Sequence, residues 1–166
     1  MKNKTTLFLV QAAGIGALYT VITLLFAPLS FGQVQIRFSE ALTILPYFTP
    51  AAIPGLFVGC ILSNILGGAL PVDILFGSIA TLIGAVFTYR LRRNKYLAPV
   101  PPILANMVII PFVLRLGYGI NLPILFLMLT IGAGEVISCG VLGMIILHTL
   151  SRYGTFLFGN HSASVR

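Results

Sequence analysis

The chain alternates between long apolar runs and short polar gaps. An apolar run of about 20 residues is long enough to cross a bilayer as an α-helix. The runs predict helices at residues 6–27, 39–49, 53–67, 71–90, 101–117 and 123–150. Residues 39–66 are ambiguous because Pro46, Pro50 and Pro54 interrupt them. As a single helix they would measure about 42 Å, well beyond the roughly 30 Å hydrocarbon core, so they form one long kinked helix or two short spans.

The basic residues decide between these two alternatives. They fall into three groups, namely Lys2 and Lys4, then Arg90, Arg92, Arg93 and Lys95, and finally Arg152 and Arg166. The positive-inside rule places all three groups in the cytoplasm, which requires an even number of crossings between successive groups. Two short spans satisfy this requirement, whereas one long span would place the strongest group outside. The sequence therefore predicts an all-α integral membrane protein with six transmembrane helices and both termini in the cytoplasm.

The composition agrees with this class of protein. Of the 166 residues, 58% are hydrophobic and 8% are charged, whereas roughly 25% are charged in an ordinary soluble domain. The net charge of +7 does not predict a nucleic-acid partner, because most basic residues lie in short gaps between apolar runs. We expect residues 1–152 to form one membrane domain and residues 153–166 a flexible cytoplasmic tail. A cleaved signal peptide is a poor alternative for the first run, which is long and lacks a clear cleavage site.

All three acidic residues lie within or beside predicted spans, where ionisable groups are rare and usually functional. Glu40 begins the second predicted helix, Asp73 begins the fourth, and Glu135 lies in the sixth. A local pair with Arg37 would account for Glu40, and a role as helix N-terminal cap or first-turn acid would account for Asp73. Glu135 has no such local explanation. Since all three acids lie toward the outer side, we expect an outward-facing polar pocket that captures its ligand from outside.

Other polar residues extend this candidate site. Asn64 lies near the outer end of the third predicted helix, where an interhelical hydrogen bond is the alternative role. Gln33, Gln35 and Arg37 share one face if the loop before the second helix is extended. That face would form a lid or a pocket wall, and an ordinary exposed loop is the alternative. Asn106, deeper in the fifth predicted helix, is expected to form an interhelical hydrogen bond.

The first predicted helix carries small residues at a spacing of four. Ala13 and Ala17 form one such pair, and Ala12 and Gly16 form another. Small residues at this spacing allow close approach of a second helix, either within the protein or from a partner.

The sequence contains no motif for ATP hydrolysis, metal binding or nucleophilic catalysis. Cys60 and Cys139 lie in apolar runs without metal-ligand spacing, so they are interpreted as small buried hydrophobic residues. His148 is isolated near the inner end of the last predicted helix. We therefore expect neither an enzyme nor a metal site nor a bound cofactor.

Several segments resemble one family of membrane proteins. They are PLSFGQVQ at 28–35, RFSEALT at 37–43, PGLFVGC at 54–60, NILGG at 64–68 and DILFGSIATL at 73–82, with Gly134-Glu135 in the last helix. Together with six short helices, these segments are similar to the substrate-binding S component of an energy-coupling factor (ECF) transporter, and more narrowly to the queuosine-precursor transporter (QueT) family. The resemblance covers nearly the whole chain and is densest between residues 28 and 93.

The resemblance implies an importer subunit in the prokaryotic plasma membrane that binds a deazaguanine, the precursor of the tRNA base queuosine. It also implies a transmembrane coupling subunit and two cytoplasmic ATPase subunits as partners, so ATP is used by the partners. Ala13 and Ala17 are similar to the docking motif of the family.

The chemistry of a deazaguanine fits the candidate residues. A carboxylate accepts hydrogen bonds from the ring N–H and the neighbouring amino group at once, and Glu135 is the first choice for this role. Asp73 or Glu40 would balance the charge of an aminomethyl substituent. The remaining expected contacts are Gln33 or Gln35 with the ring carbonyl, Asn64 as donor or acceptor, and Arg37 on the loop face. Phe31, Phe38 and Tyr19 are candidates for stacking on the ring, although membrane aromatics more often serve as packing residues or interface anchors.

Other functions stay open from the sequence. The chain would equally suit an S component for another vitamin-like heterocycle, or a stand-alone small-solute channel or exporter. A small membrane enzyme acting on lipid is a third class, although no residues assemble a catalytic site for it.

Overall fold

Every regular element is a helix in the part of the chain that the structure, a computed structural model, describes, which is residues 2–30 and 37–158. The α-helices are α1 (Lys2–Leu25), α2 (Ala27–Ser30), α3 (Ala52–Leu66), α4 (Pro71–Arg90), α5 (Val100–Leu116), α6 (Ile124–Glu135) and α7 (Gly143–Phe158). A 3-10 helix at Phe38–Tyr47, called the central 3-10 helix below, precedes α3. A π-helical segment at Val136–Leu142 joins α6 to α7, and a one-turn 3-10 helix at Lys95–Leu97 precedes α5.

Four helical stretches are long and apolar enough to cross a membrane. They are Asn3–Leu25, Pro71–Arg90, Lys95–Leu116 and Ile124–Arg152. The shortest of them has 20 residues, which at 1.5 Å per residue covers about 30 Å, the thickness of the hydrocarbon core. The fourth stretch contains α6, the π-helical segment and the start of α7 as one continuous rod. These lengths and compositions support the predicted all-helical membrane protein.

The central 3-10 helix and α3 are both shorter than a bilayer is thick. The 10 residues of the first rise about 20 Å, and the 15 residues of the second about 22 Å. The sequence predicts an α-helix at 39–49, whereas the structure has a 3-10 helix. Pro46 contributes to this difference because it has no N–H to donate within the helix. Residues 39–46 are all buried, so the segment lies inside the bundle.

The surface and the interior have the polarity expected in a lipid environment. Large apolar side chains point outward along the helices, for example Leu116, which is 80% exposed, and Leu125, which is 68% exposed. All three acidic side chains are buried, and so are the amides of Asn64 and Asn106. Extended apolar surface of this kind marks contact with a membrane or with partner proteins.

Helices α1 and α3 approach each other through glycine. A Cβ atom on Gly59 would lie 2.8 Å from the carbonyl oxygen of Gly16, and one on Gly55 would lie 2.6 Å from that of Ala12. The pair Ala12 and Gly16 therefore packs inside the protein. Ala13 and Ala17, on the neighbouring face of α1, are exposed. The two small-residue faces thus have different surroundings.

The last helix differs from its prediction in two ways. It widens into a π-helix immediately after Glu135, and α7 continues to Phe158, beyond the predicted end at residue 150. π-Helical turns inside α-helices occur frequently at functional sites. Here the π-helical segment carries Ser138 and Cys139, both buried.

Candidate functional site

Buried polar side chains meet in the middle of the bundle. They come from α1, the central 3-10 helix and the residue before it, α3, α4, α5, α6 and the π-helical segment. We call this set the central polar cluster; it consists of Tyr19, Arg37, Glu40, Thr43, Cys60, Asn64, Asp73, Ser78, Thr81, Asn106, Glu135, Ser138 and Cys139. Each of these residues is less than one-tenth exposed. The cluster has two centres, the glutamate pair of Glu40 and Glu135, and the aspartate centre around Asp73.

Glu40 lies near the start of the central 3-10 helix. Its Oε1 accepts a hydrogen bond from the Tyr19 hydroxyl of α1 and a longer one, 3.5 Å, from the Thr81 hydroxyl of α4. Its Oε2 has no hydrogen-bond partner among the described residues. The carboxyl group is completely buried. One of its oxygens is therefore held in place, and the other has no protein donor or acceptor in the described chain.

Glu135 ends α6 and is bound at both oxygens. Asn106 Nδ2 of α5 donates to Oε1 at 2.8 Å, and the Cys139 thiol donates to Oε2 at 3.1 Å. Cys139 lies four residues further along, so the helix itself brings the thiol to the carboxylate. Asn106 forms the interhelical hydrogen bond expected from the sequence, and its partner is Glu135.

The two glutamates belong to a compact set of charged and sulfur ligands. A carboxylate oxygen of Glu40, one of Glu135 and Sγ of Cys139 all lie within 4.8 Å of one another. The sequence separates Glu40 from Glu135 by more than ninety residues and predicts no metal site, because no local spacing reveals the set. The geometry suits either a cation or a ligand with several hydrogen-bond donors.

The aspartate centre lies near the start of α4. Asp73 Oδ2 accepts a hydrogen bond of 3.2 Å from the Tyr118 hydroxyl and lies 3.8 Å from Nη2 of Arg37. Tyr118 also accepts a hydrogen bond from the backbone N–H of Leu70 at 3.2 Å. Asp73 is an acid in the first turn of α4, as one of its two predicted local roles has it, and it makes no capping bond. Arg37 forms its ion pair with Asp73, which is distant in sequence.

Unpartnered acceptors lie beside Asp73. Its Oδ1 has no hydrogen-bond partner in the described chain, and neither has Oδ1 of the neighbouring Asn64. Asn64 instead donates through Nδ2 to the Asp73 carbonyl at 3.5 Å. A Cβ atom on Gly77 would lie 3.0 Å from Asp73 Oδ1 and 3.4 Å from Asn64 Nδ2, so glycine at this position keeps the space open.

The two centres are separated along α4 but connected through α3. From Asp73 to Thr81 is eight residues, or about 12 Å of helix. Cys60 lies between them, because its sulfur is 3.5 Å from Thr81 Oγ1 and accepts from Asn64 Nδ2 at 3.7 Å. A continuous polar path therefore runs from Asp73 to Glu40.

The contacts of the glutamate pair place it level with the middle of two long helices. Thr81, which contacts Glu40, is ten residues into α4, and Asn106, which contacts Glu135, is ten residues from the end of α5. Both distances correspond to about 15 Å, half the length of a spanning helix. Glu40 itself lies in the first turn of the central 3-10 helix, at the start of the second predicted helix as the sequence indicates.

The sequence-predicted site residues have different outcomes. Glu40, Glu135, Asp73, Asn64 and Arg37 all enter the central polar cluster. Gln33 and Gln35 lie outside the described residues.

Residues that sequence reasoning missed are the neutral partners of the acids. Thr81 and Tyr118 have no distinguishing pattern in the sequence, and Tyr19 hydrogen-bonds to Glu40 where only ring stacking was expected. The interpretation of Cys60 and Cys139 as packing residues is incomplete, since both are buried but both also hydrogen-bond within the cluster. The one signal in the sequence for these hydrogen bonds was that both cysteines lie in apolar spans near polar residues.

The chemical property of the cluster is an excess of acceptors. Buried polar atoms are nearly always hydrogen-bonded, and one left unpaired costs about 1–3 kcal/mol. The acceptors without a protein partner in the described chain are Glu40 Oε2, Asn64 Oδ1 and Asp73 Oδ1, accompanied by the hydroxyls of Ser78 and Ser138. A ligand with several donors would satisfy them.

Comparison with known proteins identifies a relative and a family. A relative from Lactococcus lactis subsp. cremoris (strain MG1363), named queuosine precursor transporter QueT, is 33% identical over 85 residues. That match covers 50% of this chain and 50% of the relative, so the chain spans about half the length of the relative. No solved structure is significantly similar to the chain.

A family model gives the broader match. The model described as QueT transporter matches residues 9–152, which include every described member of the central polar cluster. The match and the apolar helices make the chain a multi-pass protein of the prokaryotic plasma membrane. The chain therefore belongs to the QueT transporter family.

Proposed function

We propose that this chain is the substrate-binding S component of an ECF-type importer and binds a deazaguanine precursor of queuosine. The family match and the name of the Lactococcus relative support this substrate class. The observation that carries the proposal is the set of buried acceptors at Glu40, Glu135, Asp73 and Asn64. A deazaguanine supplies a ring N–H and an amino group on one edge, which is what such a set of acceptors needs.

Glu135 is proposed to receive the donor edge of the ring. Its two oxygens each accept one protein donor, and a carboxylate has further acceptor sites available. Asp73 is proposed to face the substituent at the other end of the ring. It lies about 12 Å along α4 from the residue that contacts Glu40, and its free Oδ1 would accept from an aminomethyl ammonium. Gln33 and Gln35 are proposed to line the same pocket.

The topology completes the proposal. The central 3-10 helix and α3 are proposed to act as two short spans, so that the chain crosses six times and both termini are cytoplasmic. Burial of residues 39–46 supports this, because a short helix is tolerated at membrane depth where protein surrounds it. The substrate then enters from the outer side, past Asp73, and reaches the glutamate pair near mid-depth.

A titration of purified protein in lipid nanodiscs tests the proposed substrate. Calorimetry with the nitrile form, the aminomethyl form and the free base is expected to show binding well below millimolar concentration. Glu135→Gln is expected to weaken binding at least tenfold, because the amide loses one acceptor oxygen and gains a donor. Absence of binding to all three compounds would refute the substrate assignment, and unchanged affinity of Glu135→Gln would remove Glu135 from the site.

The proposed partners are a transmembrane coupling subunit and two ATPases, with Ala13 and Ala17 as the docking face. Both alanines are exposed on α1, whereas the adjacent Ala12 and Gly16 face is used internally. Ala17→Trp is expected to abolish ATP-dependent uptake and leave the ligand Kd unchanged. Ala133→Trp, at an exposed alanine of α6, is the matched control. Loss of binding in Ala17→Trp would indicate misfolding, and unaltered uptake would refute this docking face.

The same uptake assay separates the proposal from a stand-alone transporter. Protein reconstituted alone is expected to bind the deazaguanine without concentrating it. Uptake by the isolated protein in liposomes would favour the stand-alone alternative.

A further inference from the structure

The charge of the glutamate pair leads to a more specific inference about the ring edge, which rests on the proposed deazaguanine substrate. Three acids, Glu40, Asp73 and Glu135, are buried together with one guanidinium, that of Arg37, in the described part of the cluster. Arg37 forms its ion pair with Asp73. Oxygens of the two glutamates lie within 4.8 Å, and two carboxylates so close together in a buried site do not both ionise. The pair therefore shares one proton.

Titratable groups reach the pair from four of the elements around it. They are Tyr19 of α1, Arg37 before the central 3-10 helix, Cys60 of α3 and Cys139 of the π-helical segment, whereas α5 contributes the neutral Asn106. Tyr19 and Cys139 donate hydrogen bonds to the pair, and Arg37 is shared with Asp73. The two carboxyl groups thus remain the natural holders of a single exchangeable proton.

The hydrogen bonds around the pair indicate which glutamate carries the proton. Both oxygens of Glu135 accept donors, Asn106 Nδ2 at 2.8 Å and Cys139 Sγ at 3.1 Å, as suits an ionised carboxylate. In Glu40 only Oε1 accepts donors, and Oε2 has no partner in the described chain. A neutral carboxyl group has one O–H donor and remaining acceptor capacity. Oε2 of Glu40 is therefore the site for the proton.

We propose that Glu40 and Glu135 together read the lactam edge of the ring, with Glu40 as the neutral donor and Glu135 as the ionised acceptor. The lactam edge presents a carbonyl acceptor, a ring N–H donor and an amino donor in a row. Glu40 O–H donates to the carbonyl, and Glu135 accepts from the ring N–H and the amino group. This assigns to Glu40 the carbonyl contact that the sequence offered to Gln33 or Gln35.

The proposed contacts of the two glutamates recognise the lactam edge of the ring and not its substituent. A heterocycle with an amino group in place of the carbonyl would place its donor against the Glu40 O–H and leave both groups unsatisfied. A site built to hydrogen-bond a ligand group discriminates strongly against an analogue that lacks it. The nitrile and aminomethyl forms share the same lactam edge, so the pair accepts both.

The test is the pH dependence of binding for Glu40→Gln and Glu135→Gln. A glutamine amide donates where a protonated glutamic acid would, but it does not titrate. The protein is in nanodiscs, and the calorimetry uses the nitrile form because it has no aliphatic amine that would titrate. The wild-type affinity is expected to fall at low pH, when Glu135 gains a proton, and at high pH, when the shared proton is lost. Ionisation of the ring N–H is common to all variants and cancels in the comparison.

Glu40→Gln is expected to keep the optimum Kd within about threefold and to lose the part of the alkaline decline that the protein contributes. Glu135→Gln is expected to lose at least tenfold in affinity throughout the pH range. Should Glu40→Gln fail to fold, the wild type is titrated with a ring that lacks the carbonyl. That ligand is expected to bind at least tenfold more weakly, with no protein-derived alkaline decline.

Three results would overturn the inference. The first is a Glu40→Gln variant that is as defective as Glu135→Gln at the optimum pH, and the second is one that retains the full wild-type alkaline decline. A defect of Glu40→Gln confined to the aminomethyl form would instead make the pair an ammonium site. In each of these cases the wild type still binds deazaguanine, so the proposed function survives. No binding by the wild type at any pH would refute the proposed function and this inference with it.

Discussion

At the scale of single residues, the hydroxyl and amide groups around the acids hold the carboxyl groups in position. Tyr19 is fully buried in α1 and donates to Glu40 across 21 positions of sequence. Thr81 supplies only a longer contact of 3.5 Å to the same oxygen. A buried acceptor that loses its main donor pays a desolvation cost. Tyr19 therefore links the first helix to the glutamate pair in the middle of the bundle.

Tyr19→Phe tests this link with little change in shape. The substitution is expected to destabilise the protein by about 1–3 kcal/mol, because Glu40 Oε1 loses its principal donor. Thermal unfolding in detergent measures the effect, with Tyr96→Phe as control because Tyr96 is 68% exposed. An equal, small effect of both substitutions would show that the Tyr19 hydroxyl does not support Glu40.

The burial of a single residue was predictable where its residue type is rare within a membrane. Glu135 has no basic residue close to it in the sequence, and its burial beside Asn106 follows from the cost of an acid at membrane depth. The partnership of Glu40 with Glu135 was not predictable, because it depends on how the central 3-10 helix enters the bundle. The donors Tyr19 and Thr81 resemble any other hydroxyl in an apolar helix.

At the scale of elements, glycine sets the distance between α1 and α3. Gly16, Gly55 and Gly59 are all in backbone contact across the interface. Tyr19 is on the same side of α1, where its Cβ lies 3.0 Å from the position of a Cβ on Gly59. The close approach of the two helices therefore also positions the tyrosine that binds Glu40.

Gly59→Ala tests the role of this interface. Its Cβ would lie 2.8 Å from the backbone oxygen of Gly16, which does not move independently of α1. A loss of about 1–3 kcal/mol is expected for overpacking of this kind. Gly14→Ala is the matched control, because nothing lies within 4 Å of its Cβ and alanine favours a helix. A lower melting temperature for Gly14→Ala than for Gly59→Ala would contradict this account of the interface.

The elements themselves were largely readable from the apolar runs, since their lengths follow the membrane thickness. Proline positions indicated the interruption between residues 39 and 54, but not that the segment ending at Tyr47 is a 3-10 helix. The π-helical segment after Glu135 also escaped prediction. Both depend on packing around the central polar cluster, which local sequence does not encode.

At the scale of the whole molecule, basic and acidic residues lie in different places. The basic residues lie at helix ends and in loops, as in Arg90 and Lys95, while the acids are buried in the bundle. This distribution of the net charge of +7 is the one that the proposed topology and the proposed binding site require. The Arg37–Asp73 pair shows that one basic residue also belongs to the interior.

Cysteine labelling tests the proposed topology. Both natural cysteines are buried, so single cysteines introduced at Asn3, Tyr96 and Asn121 report accessibility. A membrane-impermeant maleimide is expected to label Asn121→Cys in intact cells, and Asn3→Cys and Tyr96→Cys only after permeabilisation. If residues 38–66 crossed once, Asn3 and Tyr96 would label from opposite sides, and the six-span topology would be wrong.

The proposed binding of the deazaguanine lactam edge by the glutamate pair is best examined in a structure of the protein with the nitrile form bound. The account predicts the ring N–H and amino nitrogens about 2.7–3.2 Å from Glu135 oxygens, and the ring carbonyl at a similar distance from Glu40 Oε2. A ligand seated elsewhere in the bundle, or one whose lactam edge points away from both glutamates, would contradict it.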